Sequence, residues 1–169
     1  DEEAAALLYD WRFWAREKQL PPEKFYIWLL LSGRGFGKTR ALNELVIQWA
    51  KEGHSPIAII GQTTADVRNT LIEVGESSIL KISPPWFMPV WVEGKRQLTW
   101  PNGVVGITYS GDKPDQLRGA NHAKAVADEL AKYQYPKQML DQLLFGLRIG
   151  DSPQAVIATT PKPIQVIKD

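Results

Sequence analysis

The segment Ser32-Gly-Arg-Gly-Phe-Gly-Lys-Thr39 constrains this chain more than any other feature. It lies between a short apolar run and an amphipathic one, where a strand would turn into a helix. Gly33, Gly35 and Gly37 keep Cβ atoms out of that turn, so backbone N–H groups can approach an anion closely. The positive end of the following helix points at the same place. Lys38 has the reach to meet the β and γ oxygens of a nucleoside triphosphate, and the Thr39 hydroxyl can ligate Mg²⁺. Ser32 stands at the first glycine position of the pattern G-x-x-x-x-G-K-[ST], and it is small enough for the loop to form. Arg34, Phe36 and the succeeding Arg40 complete the candidate nucleotide-contacting set. The alternative is a glycine-rich turn with a chance Lys-Thr, and the flanking strand and helix argue against it.

The flanks read as follows. Leu7, Trp11 and Trp14 are helically spaced in an opening segment that Pro21-Pro22 ends. Phe25 to Leu31 is a continuous apolar stretch, expected to be a strand buried on both faces. After the loop, Ala41, Leu42, Leu45, Val46, Trp49 and Ala50 share a helical face, and Gly53 is a plausible stop. Ile57 to Ile60 is a second buried strand. Thr63 or Thr64 can cap a helix that turns Val67 and Leu71 inward. Ser83 to Val92 reads as irregular, because its prolines and aromatics show no period. Gln97–Trp100 and Val104–Tyr109 flank Pro101-Asn-Gly103 as a hairpin or antiparallel pair. Ala123 to Ala127 is a strand of small residues, with Lys124 interrupting its apolar run. Pro136 opens a helix striped by Met139, Leu140, Leu143, Leu144 and Leu147. Ala155 to Ala158 is a last strand, closed by Pro161 and Pro163. Strands alternating with helices imply an α/β domain with a central, mainly parallel sheet and helices on both faces.

A nucleotide-hydrolysing loop needs a carboxylate for the metal and a base for the attacking water. Both are expected at the C-terminal end of a strand beside the loop's own strand. Asp128-Glu129, ending Ala125-Val-Ala, supplies Asp128 as metal partner and Glu129 as base. A glutamate in that place favours water as acceptor over a kinase reaction. The competing reading is that the pair merely begins a helix, where acidic residues are favoured anyway.

Composition narrows the remaining classes. With 169 residues the chain suits one domain, and its formal charge of +1 announces neither nucleic acid nor an anionic membrane. There is no cysteine, which excludes disulfides and thiolate metal sites. No apolar run is long enough to span a bilayer, and the acidic N-terminus lacks the basic region of a signal peptide. The expectation is an intracellular, soluble protein.

Taken together, Trp11-Arg-Phe-Trp-Ala-Arg-Glu-Lys-Gln-Leu-Pro-Pro22, Leu29 to Arg40, Asp115-Gln-Leu-Arg-Gly119, Ala127-Asp-Glu129 and Ala158-Thr-Thr-Pro161 resemble the ATPase domain of large terminase subunits. These are the DNA-packaging motors of tailed bacteriophages. The resemblance implies a RecA-like (ASCE) P-loop NTPase that hydrolyses ATP with Mg²⁺ and drives double-stranded DNA into a viral procapsid. It implies portal protein, the small terminase subunit and double-stranded DNA as partners. It also implies a homo-oligomeric ring, pentameric on the portal and monomeric in isolation, in the cytoplasm of an infected bacterial host. Residues 1–169 would be that ATPase domain, without the family's nuclease domain and without most of its lid.

Roles follow residue by residue from the same resemblance. Gln19 matches a glutamine that reads the adenine edge; otherwise it is an exposed loop residue. Arg34 matches an arginine typical of packaging motors, placed to sense the γ-phosphate or stabilise the transition state. Arg118 resembles an arginine finger offered to a neighbouring subunit; otherwise it is a surface arginine in an ordinary ion pair. Thr159 and Thr160 resemble a motif coupling the γ-phosphate to domain movement; otherwise they cap the next helix. The rival functions are another nucleic-acid motor, such as a helicase, and a module that binds nucleotide mainly to order a ring.

Other conspicuous residues are assigned to packing. Of seven tryptophans, Trp11, Trp14, Trp28 and Trp49 are expected in the core. Trp86, Trp91 and Trp100 are expected to pack the irregular middle, with stacking on DNA bases as the alternative. His54 and His122 are isolated, with no ligand cluster around either.

Overall fold

A computed structural model describes residues 1–161. Two short helices, α1 (Glu2–Leu8) and α2 (Trp11–Trp14), precede a single 3₁₀ turn at Glu17–Gln19. Strand β1 (Ile27–Leu31) leads through the glycine loop into α3 (Lys38–Lys51). β2 (Ile57–Gly61) is followed by α4 (Thr64–Asp66), which widens into a π-type turn over Val67–Ile72, and then by α5 (Ile79–Ile82). The short strands β3 (Val90–Val92) and β4 (Gln97–Thr99) come before β5 (Val105–Ser110). β6 (Lys124–Asp128), α6 (Pro136–Gly146) and β7 (Gln154–Thr159) complete the described chain.

The seven strands form one sheet in the order β1-β7-β6-β2-β5-β4-β3. β1, β7, β6, β2 and β5 run parallel, whereas β3 and β4 are antiparallel additions at the far edge. Successive side chains point to opposite faces, so the central strands feed two cores. On one face Ile57, Ile59, Val126 and Val156 pack with Leu42, Val46 and Trp49 of α3. On the other, Ala58, Ile60, Ala125 and Ile157 pack with Met139 and Leu143 of α6. Helices therefore cover both faces, as the alternation of elements implies.

The end of α3 shows how locally its shape is encoded. Gly53 takes φ +84°, Gly53 N–H donates to Ala50 O, and His54 N–H donates to Trp49 O. That pair of bonds is a Schellman cap, which needs a left-handed residue and so favours glycine. Thr63 caps α4, its hydroxyl accepting from Asp66 N. The expected hairpin forms at Pro101–Gly103, closed by Trp100 N–H to Val104 O.

Several expectations fail in instructive ways. Phe25–Leu31 is not a doubly buried strand. β1 lies at the sheet edge, and Ile27, Leu29 and Leu31 are 41%, 40% and 43% exposed. The opening segment is not one helix, and Trp14 is 56% exposed rather than in the core. Asp10, with an extended backbone, separates α1 from α2. Ser83–Val92 is less irregular than it reads, because Val90–Val92 adds a strand to β4. Trp86 is exposed and meets Tyr9 edge to face, whereas Trp100 is buried, as packing requires.

Lys124 is buried at the start of β6, yet it does not break the strand. Its ammonium donates to Ser152 O and Gln154 Oε1 and sits over the Trp49 ring. Burial lowers its pKa, and Glu52 raises it. Pro163 falls outside the described residues. Among those residues no helix is long and apolar enough to cross a membrane.

Candidate functional site

The glycine loop leaves the C-terminal end of β1 and enters α3 with Gly35 at φ +78° and Gly37 at φ +85°. Ser32 N–H donates to Thr159 O, tying the start of the loop to the end of β7. Lys38 is buried, and its ammonium donates to Ser32 O at 2.8 Å and Gly33 O at 3.0 Å. A cation drawn to two loop carbonyls closes the loop around the place where phosphate oxygens would compete for it. The Ser32 hydroxyl is buried and has no partner among the described residues. Arg34 is exposed at the loop tip.

Thr39, on the first turn of α3, donates its hydroxyl to Asp128 Oδ2 at 3.0 Å. The other oxygen, Asp128 Oδ1, is buried without a partner among the described residues. Burial pushes the Asp128 carboxyl up to about 6, against the Thr39 hydrogen bond, with Glu129 raising it further and Lys38 lowering it. An orphaned carboxylate oxygen beside a threonine hydroxyl suits a hard, oxygen-seeking cation such as Mg²⁺. Among the described residues there is no group of three or more His, Cys, Asp or Glu side chains able to hold a metal. A magnesium ion here would therefore share its shell with water and substrate phosphates, which is its usual habit.

The acidic strand, expected beside the loop's strand, is one strand removed from it. β7 lies between β1 and β6. Asp128 nevertheless reaches Thr39, because α3 crosses the sheet face over β6 and β7.

Glu129 adopts φ +56°, ψ +46°, a left-handed conformation uncommon for a residue with a side chain. Its N–H donates to Ala158 O at 2.7 Å, and its carboxylate accepts from Thr160 N and the Thr160 hydroxyl at 3.5 and 3.4 Å. Such strain costs on the order of 1 kcal/mol and is found where a side chain must be aimed. Thr159 works beside it, its hydroxyl accepting from Ala131 N. The chain ends of β6 and β7 are thus joined through Glu129 and Thr160.

Thr39, Asp128 and Glu129 line one cavity of about 230 Å³. Gln62, Asp66, Thr70 and Lys132 share it. Sequence reasoning missed these four, since nothing in their spacing points at the loop. Arg34 and Arg118 do not line it. Arg118 is 74% exposed and pairs with Asp115 at 3.1 Å.

On the far side of the loop, Gln19 is buried, not an exposed loop residue. It and Arg16 bond the carbonyl of Phe36. Arg40 donates to Glu44 at 2.8 Å and lies over the Trp11 ring. Burial raises the Glu44 pKa, and Arg40 and Lys51 pull it down.

The strand–loop–helix unit and the parallel sheet define the class, a RecA-like P-loop NTPase fold. Residues 29–169 match the family described as terminase large subunit, T4likevirus-type, N-terminal, and the chain belongs to that family. The structure is similar to the large terminase ATPase domain of Thermus phage P74-26, with 20% identity and TM-score 0.68, over 98% of this chain and 71% of that one. It is also similar to the large terminase of a thermophilic bacteriophage in complex with ADP, with 19% identity and TM-score 0.61, over 94% of this chain and 38% of that one. A third likeness is to the bacteriophage Phi-29 viral genome packaging motor assembly, with 16% identity and TM-score 0.56, over 86% of this chain and 47% of that one. At these identities the structural likeness speaks to the fold. No curated protein sequence matches the chain.

Proposed function

We propose that this domain binds ATP with Mg²⁺ and hydrolyses it to ADP and phosphate, and that the reaction drives double-stranded DNA into a viral procapsid. The observation that carries this reading is the meeting of Thr39 with Asp128, whose second oxygen is left without a partner among the described residues, beside Glu129 in one cavity. Membership of the terminase family supports the motor role.

The division of labour follows from the side chains. Lys38 exchanges its bonds to the loop carbonyls for bonds to phosphate oxygens, and Thr39 and Asp128 hold the metal. Bound Mg²⁺ supplies positive charge to the phosphate oxygens. Glu129, aimed by its left-handed backbone, orients water and takes its proton as the water attacks. The link from Glu129 to Thr160 makes Thr159-Thr160 the candidate for passing the state of the γ-phosphate to the rest of the motor. Arg118, solvent-facing on its loop, suits a finger given to a neighbouring subunit, whereas Arg34 suits a role within its own loop. The partners proposed are DNA, portal protein, the small terminase subunit and further copies in a ring, all in the host cytoplasm.

The test is ATP binding and turnover by Lys38→Ala and Glu129→Ala. Lys38→Ala should lose both binding and turnover. Glu129→Ala should bind ATP without cleaving it. Undiminished turnover by either variant would overturn that residue's role.

A further inference from the structure

We propose that Tyr133 is a positioning residue for Arg118: its ring, wedged against Gly111, ties the loop that carries Arg118 to the turn that carries Glu129. The proposal rests on the reading of Arg118 as a group given to a neighbouring subunit. It adds that each subunit presents its arginine from a place set by its own glutamate turn.

The tie starts at Glu129. Leu130–Lys132 form a single 3₁₀ turn, in which Lys132 N–H donates to Glu129 O and Tyr133 N–H donates to Leu130 O. Tyr133 therefore follows Glu129 by one closed turn. Its side chain is buried in the core on the α6 side of the sheet, and its hydroxyl donates to Ile60 O of β2 at 3.2 Å. Burial raises its pKa well above the ordinary 10.0, with the Asp128 and Glu129 carboxylates adding to the effect, so the hydroxyl stays a donor. The ring is held at its root by the turn and at its tip by that bond.

Gly111 lies against this wedge. A Cβ there would stand 2.6 Å from Tyr133 Cγ and 2.8 Å from both Cδ atoms, the stiff base of the ring. Gly111 is not among the left-handed glycines, so the ring and not the backbone torsion requires the missing side chain. Gly111 N–H donates to Gly61 O at 2.7 Å, which pins the start of the loop to the end of β2. Ser110 N–H donates to Gln116 Oε1 at 3.1 Å, and Leu117, 2% exposed, belongs to the same core as Tyr133.

The far end of the loop meets the segment that continues from Tyr133. Gly146, the last residue of α6, has no room for a Cβ against Ala120 O, and its own carbonyl accepts from His122 N–H at 2.8 Å. The backbone on either side of Arg118 is thus gripped by one unit, while the guanidinium stays 74% exposed. A group donated across a subunit boundary needs such a fixed seat, since a misplacement of about 1 Å can cost about 10²-fold in rate.

Gly111→Ala drives a methyl into the ring and displaces the loop, whereas Tyr133→Leu withdraws the wedge. Each should lower turnover by assembled motors by about 10²-fold and leave Mg-ATP affinity within about threefold of wild type, because the nucleotide-holding groups of the same subunit are untouched. The two changes together should regain about tenfold, since the methyl fills space that the ring vacates. Mixing separates positioning from general damage. Either single variant should be partly rescued by Glu129→Ala subunits, which bring a well-seated arginine, and not by Arg118→Ala subunits, which share the defect. A fault in the variant's own nucleotide site gives the reverse pattern, and general damage gives rescue by neither. Either result would overturn the proposal, as would wild-type turnover by Gly111→Ala. Where thermal unfolding shows that one single variant has lost its fold, the other carries the mixing test. Failure of the underlying reading looks different: Arg118→Ala and Glu129→Ala subunits would not rescue each other.

Discussion

Thr39 and Asp128 stand 89 positions apart in the chain and share a hydrogen bond of 3.0 Å. One comes from the first turn of α3 and the other from the last residue of β6, so the bond exists only when helix and sheet are docked. It also decides which Asp128 oxygen is left over, and hence where a cation can approach.

Asp128→Asn keeps the size of the side chain and removes its charge. Magnesium-dependent nucleotide affinity should fall by about 10- to 100-fold, the range seen when a group that holds or orients a metal is altered. A Mg²⁺ titration of nucleotide binding measures this, and chelation with EDTA should abolish tight binding by the wild type. An unchanged magnesium midpoint in Asp128→Asn would remove it from the metal's shell.

His122 is buried with its Nε2 2.8 Å from the Tyr109 hydroxyl and its Nδ1 without a partner among the described residues. Burial lowers its pKa to about 4, against an ordinary value of 6.5. Between those pH values the unfolded chain takes up a proton that the folded chain refuses, so stability falls as pH drops, by about 3 kcal/mol across the window. Asp128 acts in the opposite sense. Its raised pKa lets the folded state bind the extra proton, which offsets part of the loss below about pH 6. Measured by chemical denaturation, the stability of wild type relative to His122→Gln should fall as pH drops from about 7 to about 4.5, because the Asp128 contribution is common to both chains and cancels in the difference. Parallel curves would contradict the buried, neutral imidazole.

Asn43 is fully buried on α3 and donates to Leu71 O at 3.1 Å and Ser77 O at 2.8 Å. It fastens the helix to the π-type turn and the loop beyond. Asn43→Ala leaves both carbonyls without a donor and should destabilise the fold by about 2–3 kcal/mol. A denaturation midpoint shifted at constant slope would report this, and a shift below about 0.5 kcal/mol would mean that water replaces the amide.

Arg118 is exposed, so Arg118→Ala should alter stability by less than about 0.5 kcal/mol. In assembled motors it should abolish turnover. Mixing it with Glu129→Ala subunits should restore part of the activity, since each supplies what its neighbour lacks. A residue acting in its own subunit gives no such rescue.

Elements whose shape is set by near neighbours were legible in the sequence. The stripe of α3, its stop at Gly53, the hairpin at Pro101–Gly103 and the small-residue strand before Asp128 all depend on residues a few positions apart. What depends on distant partners was not. An apolar run such as Ile27–Leu31 reads alike at the centre and at the edge of a sheet, and no local signal says that β7 pairs with it while β6 lies one strand further. Val90–Val92 is a strand only because β4 lies against it. At the site, the loop and the acidic pair were visible as residue types. The embrace of the loop by Arg16 and Gln19 was not, because their partners lie 17 to 20 positions away. Lys124 looked like a fault in its strand because its acceptors, Ser152 and Gln154, belong to another part of the chain.

The outermost strand has a practical consequence. β1 pairs along one side with β7, and Ile27, Leu29 and Leu31 present an oily row beside peptide groups that have no strand against them among the described residues. Such a border is sticky toward any extended backbone, including its own duplicate. Concentrated solutions of this chain should scatter light increasingly with time, and Leu29→Lys, which places a hydrated charge on that border, should keep them clear.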